Sequence, residues 1–258
     1  MKKKISAADR RHQDYLRRKG LRVGHDYELK LVRLRNAEAK RLLTLCAENY
    51  SDRQSWEAVI SEHLDESYLA PWFRRLYVAT GLPQAASVTR DLSRGKADKP
   101  SSEWEKAIIR YADERIGSEI VTLSGTFKDA MIGILRRHLS EDVDVGVEAF
   151  TQRILKDFKG EYAEWMARRI AQTETMISLG EAGAVAARTL DVGFVKQWCI
   201  SGVGNTRDTH EVMDGVVVGQ DEPFELEDCT MLYPHDTSTG APAGEIINCA
   251  CSVIRIPT

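Results

Sequence analysis

The chain has 258 residues, of which 43% are hydrophobic and 29% charged, and its formal net charge is −3. This length allows one large domain or two small ones with a hydrophobic core, and the charged fraction is ordinary for a soluble protein. No run of about 18 apolar residues is present, which excludes a membrane-spanning helix. The basic residues at the N-terminus are not followed by an apolar segment, so we expect a cytosolic protein without an export signal.

The cysteines are concentrated near the end of the chain. Of the five, four lie between residues 199 and 251: Cys199, Cys229, Cys249 and Cys251. An odd number of cysteines without an export signal argues against a disulfide framework. Their clustering is typical of a metal site or of a core lined with cysteine side chains.

The charge is distributed unevenly along the chain. In residues 1–50, 14 Lys and Arg residues oppose 6 Asp and Glu residues, whereas in residues 191–258 the numbers are 3 and 11. The two ends therefore carry +8 and −8. This asymmetry predicts two surfaces with different partners, although two ordinary solvated faces would produce the same pattern.

The first three quarters of the chain have helical periodicity. Residues 1–24 are basic and poor in large apolar groups, so we expect a loose or partly helical arm whose removal leaves the fold intact. A first helix is expected from Asp26, and the polar, proline-bounded stretch 81–102 is the best linker candidate. Thr126 and Asp129 have the spacing of a capping box that begins a helix. The longest helix is predicted from Glu161 to about Thr189.

The texture changes after Gly193. Phe194–Ile200 alternates like a strand, and β-branched runs at 216–218 and 252–256 indicate further strands between Gly- and Pro-rich loops. The sequence thus predicts an α+β fold with a mainly helical body and a small loop-rich C-terminal domain. We expect four parts: a basic arm (1–24), a helical region (25–100), a helical core (101–190) and the α+β domain (191–258).

The sharpest chemical hypothesis concerns the closing Cys-x-Cys. In an extended segment, Cys249 and Cys251 project from the same face. His210, with either Cys199 or Cys229, completes a thiolate and imidazole set that a structural Zn²⁺ accepts. The alternative is that these cysteines are small buried hydrophobic residues.

A second group of residues is predicted to form turns and to hold the small C-terminal domain in shape. Its members are Trp198, Arg207, Asp214 and Gly215. Asp214-Gly215 suits a tight turn, because glycine adopts positive φ without strain. Arg207 is expected to pair with Asp214, with Glu245 or with a backbone carbonyl. His210 could act as a general base or a ligand, but a role in holding its turn closed is favoured.

Seven short motifs occur in a fixed order: Thr173-Glu-Thr175, Lys196-x-Trp198, Arg207-x-x-His210, Met213-Asp-Gly215, Pro223-Phe224, Pro234-x-Asp236 and Ile247-Asn-Cys-Ala-Cys251. In this order they resemble the phage Mu F-like head morphogenesis family of tailed bacteriophages, over roughly residues 110–256. The chain departs from the family at Ala250 and Gln172, where arginine is common.

The resemblance implies a minor structural protein of the phage head that is not an enzyme. It implies the portal protein and the major capsid or scaffold protein as partners, with no membrane partner. The location implied is the portal-proximal interior of the virion head, with the host cytoplasm during assembly. Two partners are expected for the basic arm: phage DNA, through phosphate contacts that weaken with salt, or an acidic face of the portal or scaffold. The residues expected to make these contacts are Lys2, Lys3, Lys4, Arg10, Arg11, Arg17 and Arg18.

Two other classes of function stay open at this point. One is a metal-dependent hydrolase or nuclease that uses His210 with Cys249 and Cys251. The other is a plain DNA-binding protein that works through its N-terminal arm.

Overall fold

A computed structural model describes residues 2–93, 102–141, 145–190, 192–202 and 206–258. The predicted α+β fold is confirmed, with a mainly helical body and a small C-terminal region that contains the strands. In the described ranges, no helix is both long and apolar enough to cross a membrane. The helices are α1 (Ala7–Asn49), α2 (Trp56–His63), α3 (Leu69–Leu92), α4 (Ser102–Ser140), α5 (Val147–Phe158), α6 (Glu164–Arg188), α7 (Asp208–Glu211) and α8 (Ala243–Ile246).

The first helix begins earlier than the sequence predicts, at Ala7 and not at Asp26. Helix α1 runs without a break from Ala7, and Ser6 caps its start: the Asp9 amide donates to Ser6 Oγ at 3.1 Å, and the Ser6 hydroxyl donates to Asp9 at 2.5 Å. Gly24 stays helical inside α1 because Thr175 of α6 packs directly against its backbone.

The predicted linker is also partly helical. Helix α3 covers residues 81–92 with Pro83 inside it, so the first half of the stretch is structured. The polar residues 94–101 of the predicted linker lie outside the described residues. Helix α4 likewise runs through Thr126, whose hydroxyl donates back to the Thr122 carbonyl at 3.0 Å, so the capping box predicted there does not begin a helix.

The chain contacts divide the protein into two units, each assembled from separated segments. The first comprises Met1–His25, Arg74–Ala112 and Ala171–Thr258, and the second comprises Asp26–Phe73 and Asp113–Ile170. The second unit has an apolar core that includes Trp56, Phe127, Phe158 and Leu43. The four-part division proposed from the sequence stays a prediction.

The first unit contains the sheet that positions the candidate site. Strand β1 (Phe194–Cys199) is central, and β2 (Val217–Gly219) and β5 (Ser252–Pro257) pair with it antiparallel on either side. Strands β3 (Phe224–Glu225) and β4 (Thr230–Met231) form a separate hairpin. Strands β1, β2 and β5 lie where the β-branched and alternating runs of the sequence predict them, whereas β3 and β4 were not predicted.

Candidate functional site

His210 lies on a short helix that is tied to the segment before the cysteines. Its backbone amide donates to the Arg207 carbonyl at 2.9 Å, within α7. The Arg207 guanidinium donates to the carbonyl oxygen of Ile247 at 2.5 Å, two residues before Cys249. Of the three partners expected for Arg207, the structure therefore supplies the backbone carbonyl. This contact holds α7 beside the cysteines.

The two cysteines are placed by a tight turn after α8. Asn248 adopts the left-handed conformation with φ 58°, and its amide donates to Thr173 Oγ1 of α6 at 3.3 Å. Asparagine tolerates this conformation better than most residues. The turn reverses the chain so that Cys249 and Cys251 both face His210, and the Cys251 amide donates to the Cys249 sulfur at 3.4 Å.

The three side chains form a buried cluster with the dimensions of a metal site. His210 Nδ1 lies 3.4 Å from Cys249 Sγ and 3.5 Å from Cys251 Sγ. A tetrahedral Zn²⁺ with ordinary Zn–S and Zn–N bonds separates such ligand atoms by about 3.6 Å. All three side chains are buried, and their ligand atoms lie within 4.8 Å of one another. The structure thus brings together three of the four residues that the sequence grouped as zinc ligands.

Glu245 orients the imidazole from its other side. His210 Nε2 lies 2.7 Å from Glu245 Oε2, and the same oxygen accepts a hydrogen bond from the Thr209 hydroxyl at 3.1 Å. A carboxylate beside the outer nitrogen of a histidine favours the tautomer that carries its proton on that nitrogen. This contact leaves Nδ1 as the nitrogen that faces the sulfurs.

The two thiols have opposite proton affinities. The pKa of Cys249 lies well below its usual range, because the Cys251 side chain, His235 and His210 all favour its thiolate over the opposing effect of burial. The pKa of Cys251 is raised, because its proton is shared with Cys249 and because it is buried. The direction of the shift at Cys249 favours the thiolate, the form in which cysteine binds metals.

Aromatic rings and a second histidine wall the cluster off from water. The Trp198 ring packs edge-on against His210 at 5.4 Å between centroids, and against Phe224 at 5.2 Å. His235, at φ 70°, places Nε2 2.9 Å from the Cys249 carbonyl oxygen. The contacts of Glu245 with His210 and of His235 with Cys249 were not predicted from the sequence. A Glu four residues before the Cys-x-Cys was the available signal for the first.

Cys199 does not join the cluster. It follows Trp198 on β1, and neighbouring residues of a strand project to opposite faces. Its side chain packs with Ile5 and Ile254, and burial raises the pKa of its thiol to about 11. Cys229 is half-buried in the β3–β4 loop and is absent from the cluster that the described residues form.

The predicted clamp at Asp214-Gly215 fastens the two ends of the chain together. Gly215 has φ 80°, its amide donates to the Trp198 carbonyl at 2.9 Å, and its carbonyl accepts from the Lys3 amide at 2.8 Å. Asp214 accepts from the Ile200 amide at 3.0 Å and pairs with Arg10 at 2.8 Å.

The basic residues predicted to contact DNA or the portal are divided between internal and exposed positions. Arg10 pairs with Asp214, and the buried Arg17 pairs with Asp14 at 3.2 Å. Lys2 is exposed but donates to the Val212 carbonyl at 3.0 Å. The side chains that remain exposed besides Lys2 are Lys3, Lys4, Arg11 and Arg18.

The chain is similar to one curated protein, from Enterococcus faecalis (strain ATCC 700802 / V583), named NAD(+)--arginine ADP-ribosyltransferase EFV. The two are 25% identical over 157 residues, which cover 58% of this chain and 28% of that protein. The chain therefore spans less than a third of the length of this relative. No protein-family description and no solved structure matches the chain.

This similarity corrects the functional predictions made from the sequence. The prediction that the chain is not an enzyme is contradicted, because the relative is named as one. The predicted function as a purely structural protein of a phage head is overturned with it. The alternative of a metal-dependent hydrolase or nuclease is not supported either, since the relative's name describes transfer of ADP-ribose.

Proposed function

We propose that His210, Cys249 and Cys251 bind Zn²⁺ and that this ion holds the C-terminal strands and loops together. The observation that carries the proposal is the pair of distances from His210 Nδ1 to the two sulfurs, 3.4 and 3.5 Å. They join α7 to the segment that leads into β5, about 40 residues later in the chain. A metal that crosslinks such distant segments of a small, loop-rich region contributes directly to its folding free energy.

The nature of the ligands favours zinc over the hard divalent cations. Two thiolates and an imidazole suit Zn²⁺, whereas Mg²⁺ and Ca²⁺ require oxygen ligands. Buried ligands with an oriented histidine are typical of a site that holds its ion permanently. Trp198 and Phe224 exclude water from one side of the cluster.

The test is metal content and thermal stability of the purified chain. We expect one zinc per chain, and a melting temperature that falls by several degrees in a strong chelator and recovers with added Zn²⁺. Cys249→Ser should abolish zinc binding, whereas the matched variant Cys199→Ser, a buried thiol on the opposite face of β1, should retain it. Absence of zinc together with an unchanged melting temperature in chelator would overturn the proposal.

A second proposal rests on the comparison with known proteins. We propose that the chain takes part in the transfer of ADP-ribose from NAD⁺ to arginine, the activity that the name of the enterococcal relative states for that protein. The support is 25% identity over 157 residues. Because those residues are 28% of the relative, the activity of the whole relative comes to this chain as a proposal.

Labelled NAD⁺ and poly-arginine test this second proposal directly. We expect incorporation of label that depends on native chain. Labelled free ADP-ribose is the control, because it attaches to proteins without an enzyme. Incorporation no greater than that with heat-denatured chain would contradict the proposal and leave the zinc site unaffected.

The phage Mu F-like resemblance, its implied partners and its implied virion location remain predictions. Co-purification with a portal protein would test the most specific of them. Failure to recover the chain with portal, capsid or scaffold protein would count against that resemblance.

A further inference from the structure

A cavity of about 230 Å³ lies beside the central sheet of the first unit. One wall is the last turns of α6, with Ala184, Ala187 and Arg188, and another is formed by Lys196 of β1 and Arg255 of β5. Small side chains on the helix leave the space open. Typical pockets for drug-sized ligands begin at about 300 Å³, so this cavity suits a small group.

Two cations in this cavity face each other directly across the sheet. Lys196 and Arg255 are partners in the β1–β5 register, so their side chains project from the same face. Like charges at such positions destabilise a sheet. Lys196 is only 4% exposed, so solvent screens its charge poorly. Carboxylates of the protein, with Asp221 in the cavity lining, offset part of this repulsion, and an anion bound between or beside the two cations would relieve it further.

The hydrogen-bonding groups of these cations are largely uncommitted. The Lys196 ammonium has three donors and gives one hydrogen bond, to the Leu232 carbonyl at 2.9 Å. Within the described residues, no hydrogen bond or ion pair joins the Arg255 guanidinium, which has five donors. Arg188, the third cation, reaches Glu181 at 3.3 Å and is 54% exposed. Asp221 is the carboxylate that lines the cavity.

We propose that this cavity binds a phosphate group, held by Arg255 and Lys196 with Arg188 at its rim. The planar guanidinium presents paired N–H groups that match two oxygens of a phosphate, and the ammonium adds a point charge. The cavity volume fits inorganic phosphate or the phosphate end of a larger ligand. This inference goes beyond the zinc site and does not depend on the ADP-ribosyl proposal.

The electrostatic environment of the two cations agrees with this assignment. Burial, and after it the charge of Arg255, lower the pKa of Lys196 to about 8 against the opposing effect of Asp221, Asp236 and Glu222. Burial, with a smaller effect from Arg188, lowers the pKa of Arg255 to about 10 against the opposing effect of Tyr233 and Glu181. A bound anion would reverse both shifts.

Thermal unfolding and calorimetry of the full chain at pH 7 test the site, with potassium phosphate compared against potassium chloride of equal ionic strength. Phosphate should raise the melting temperature by several degrees. Arg255→Gln and Lys196→Met should each weaken phosphate binding at least tenfold. The matched variant Arg110→Gln, an exposed arginine of the same unit, should bind phosphate as the parent does.

The same variants guard against a simple folding defect. Each removes one member of an opposed cation pair, so in phosphate-free buffer each should melt at the same temperature as the parent or higher. Pyrophosphate and ADP-ribose distinguish the source of the phosphate: binding of inorganic phosphate alone assigns a free-anion site, and tighter binding of ADP-ribose assigns a nucleotide ligand. Equal melting in phosphate and chloride, or unchanged binding by both variants, would overturn the proposal.

Discussion

Individual residues at the turns of this protein carry more of its structure than their sequence context suggests. Gly215 is the clearest example, because its φ of 80° and its neighbours both exclude a side chain. A Cβ at this position would lie 2.5 Å from the carbonyl oxygen of Lys3. The glycine therefore serves the turn and also the docking of the N-terminal segment.

We expect Gly215→Ala to destabilise the protein by more than the roughly 1–2 kcal/mol that the left-handed conformation alone costs. The additional cost comes from displacement of Lys3. Gly240→Ala is the matched control, since Gly240 has φ 75° with no atom within 4 Å of the added Cβ. Urea unfolding of both variants measures the difference, and equal destabilisation would show that the segment at Lys3 is not docked in solution.

The lowered pKa of Lys196 predicts that the free energy of unfolding depends on pH. Its pKa in the folded chain is about 8, against an ordinary value of 10.5, chiefly because it is buried. Arg255 faces it from β5 and opposes its charge, while Asp221, Glu222 and Asp236 favour the charge. Between these two pH values the unfolded chain binds more protons at this residue than the folded chain does, so its contribution to stability rises with pH.

We therefore expect the parent chain to gain stability relative to Lys196→Met as the pH is raised from 8 to 10. Denaturant unfolding of both proteins at each pH isolates this residue from the other titrating groups. A relative loss of stability over this range would contradict the assigned direction of the pKa shift.

At the level of elements, the long helices show that local sequence patterns do not fix where a helix begins or what it packs against. The capping pattern of Thr126 and Asp129 suggests a helix start, yet α4 passes through both residues. In contrast, Ser6 caps the start of α1 in a segment where the sequence predicts only a loose or partly helical arm. Local capping patterns recur within helices, and the packing of Gly24 against Thr175 depends on α6, about 150 residues later. No local pattern contains that information.

Substitution of helical glycines separates packing from propensity. Gly24→Ala should destabilise the protein, because a Cβ there would lie 2.4 Å from Thr175 Oγ1. Gly133→Ala, inside α4 with no atom within 4 Å of the added Cβ, should stabilise it by roughly 0.5–1 kcal/mol. Chemical denaturation tests the pair, and stabilisation by both would mean that α1 and α6 do not pack closely at Gly24.

The candidate site was predictable where its residues have local sequence signals, and not where it depends on tertiary packing. The short spacing of Cys249 and Cys251, and a histidine in a polar turn, are local signals, and the structure brings these residues together. The choice of Cys199 as a further ligand came from residue type alone. Its neighbour Trp198 faces His210, so the alternation of the strand turns Cys199 to the other side. Glu245 has a weaker local signal, its position four residues before Cys249, because its contact with His210 depends on how α7 and α8 come together.

At the level of the whole molecule, a basic residue near the start of the chain pairs with an acidic residue near its end. The +8 of residues 1–50 and the −8 of residues 191–258 suggested two separate partners. In the structure, Arg10 pairs with Asp214 at 2.8 Å, and the backbone of Lys3 donates to Gly215. The N-terminal segment is thus an integral part of the first unit.

Deletion of residues 2–5 should therefore destabilise the first unit, contrary to the expectation that the arm is dispensable for the fold. Ile5 covers Cys199 and Ile254, so its loss should expose the Cys199 thiol. The rate of Cys199 alkylation and the melting temperature measure this effect. Lys4→Gln, at an exposed position, is the control, and unchanged alkylation after the deletion would refute the docking.

The contact between Lys2 and Val212 also constrains how the chain reaches its native state on the ribosome. The two residues are 210 positions apart. At elongation rates of about 5–20 residues per second, Lys2 waits roughly 10 to 40 s before Val212 is synthesised. Throughout that interval the first turns of α1 lack their final neighbours. The segment around Lys2 is thus secured only after Val212 has been made, and it is exposed to chaperones and proteases in the meantime.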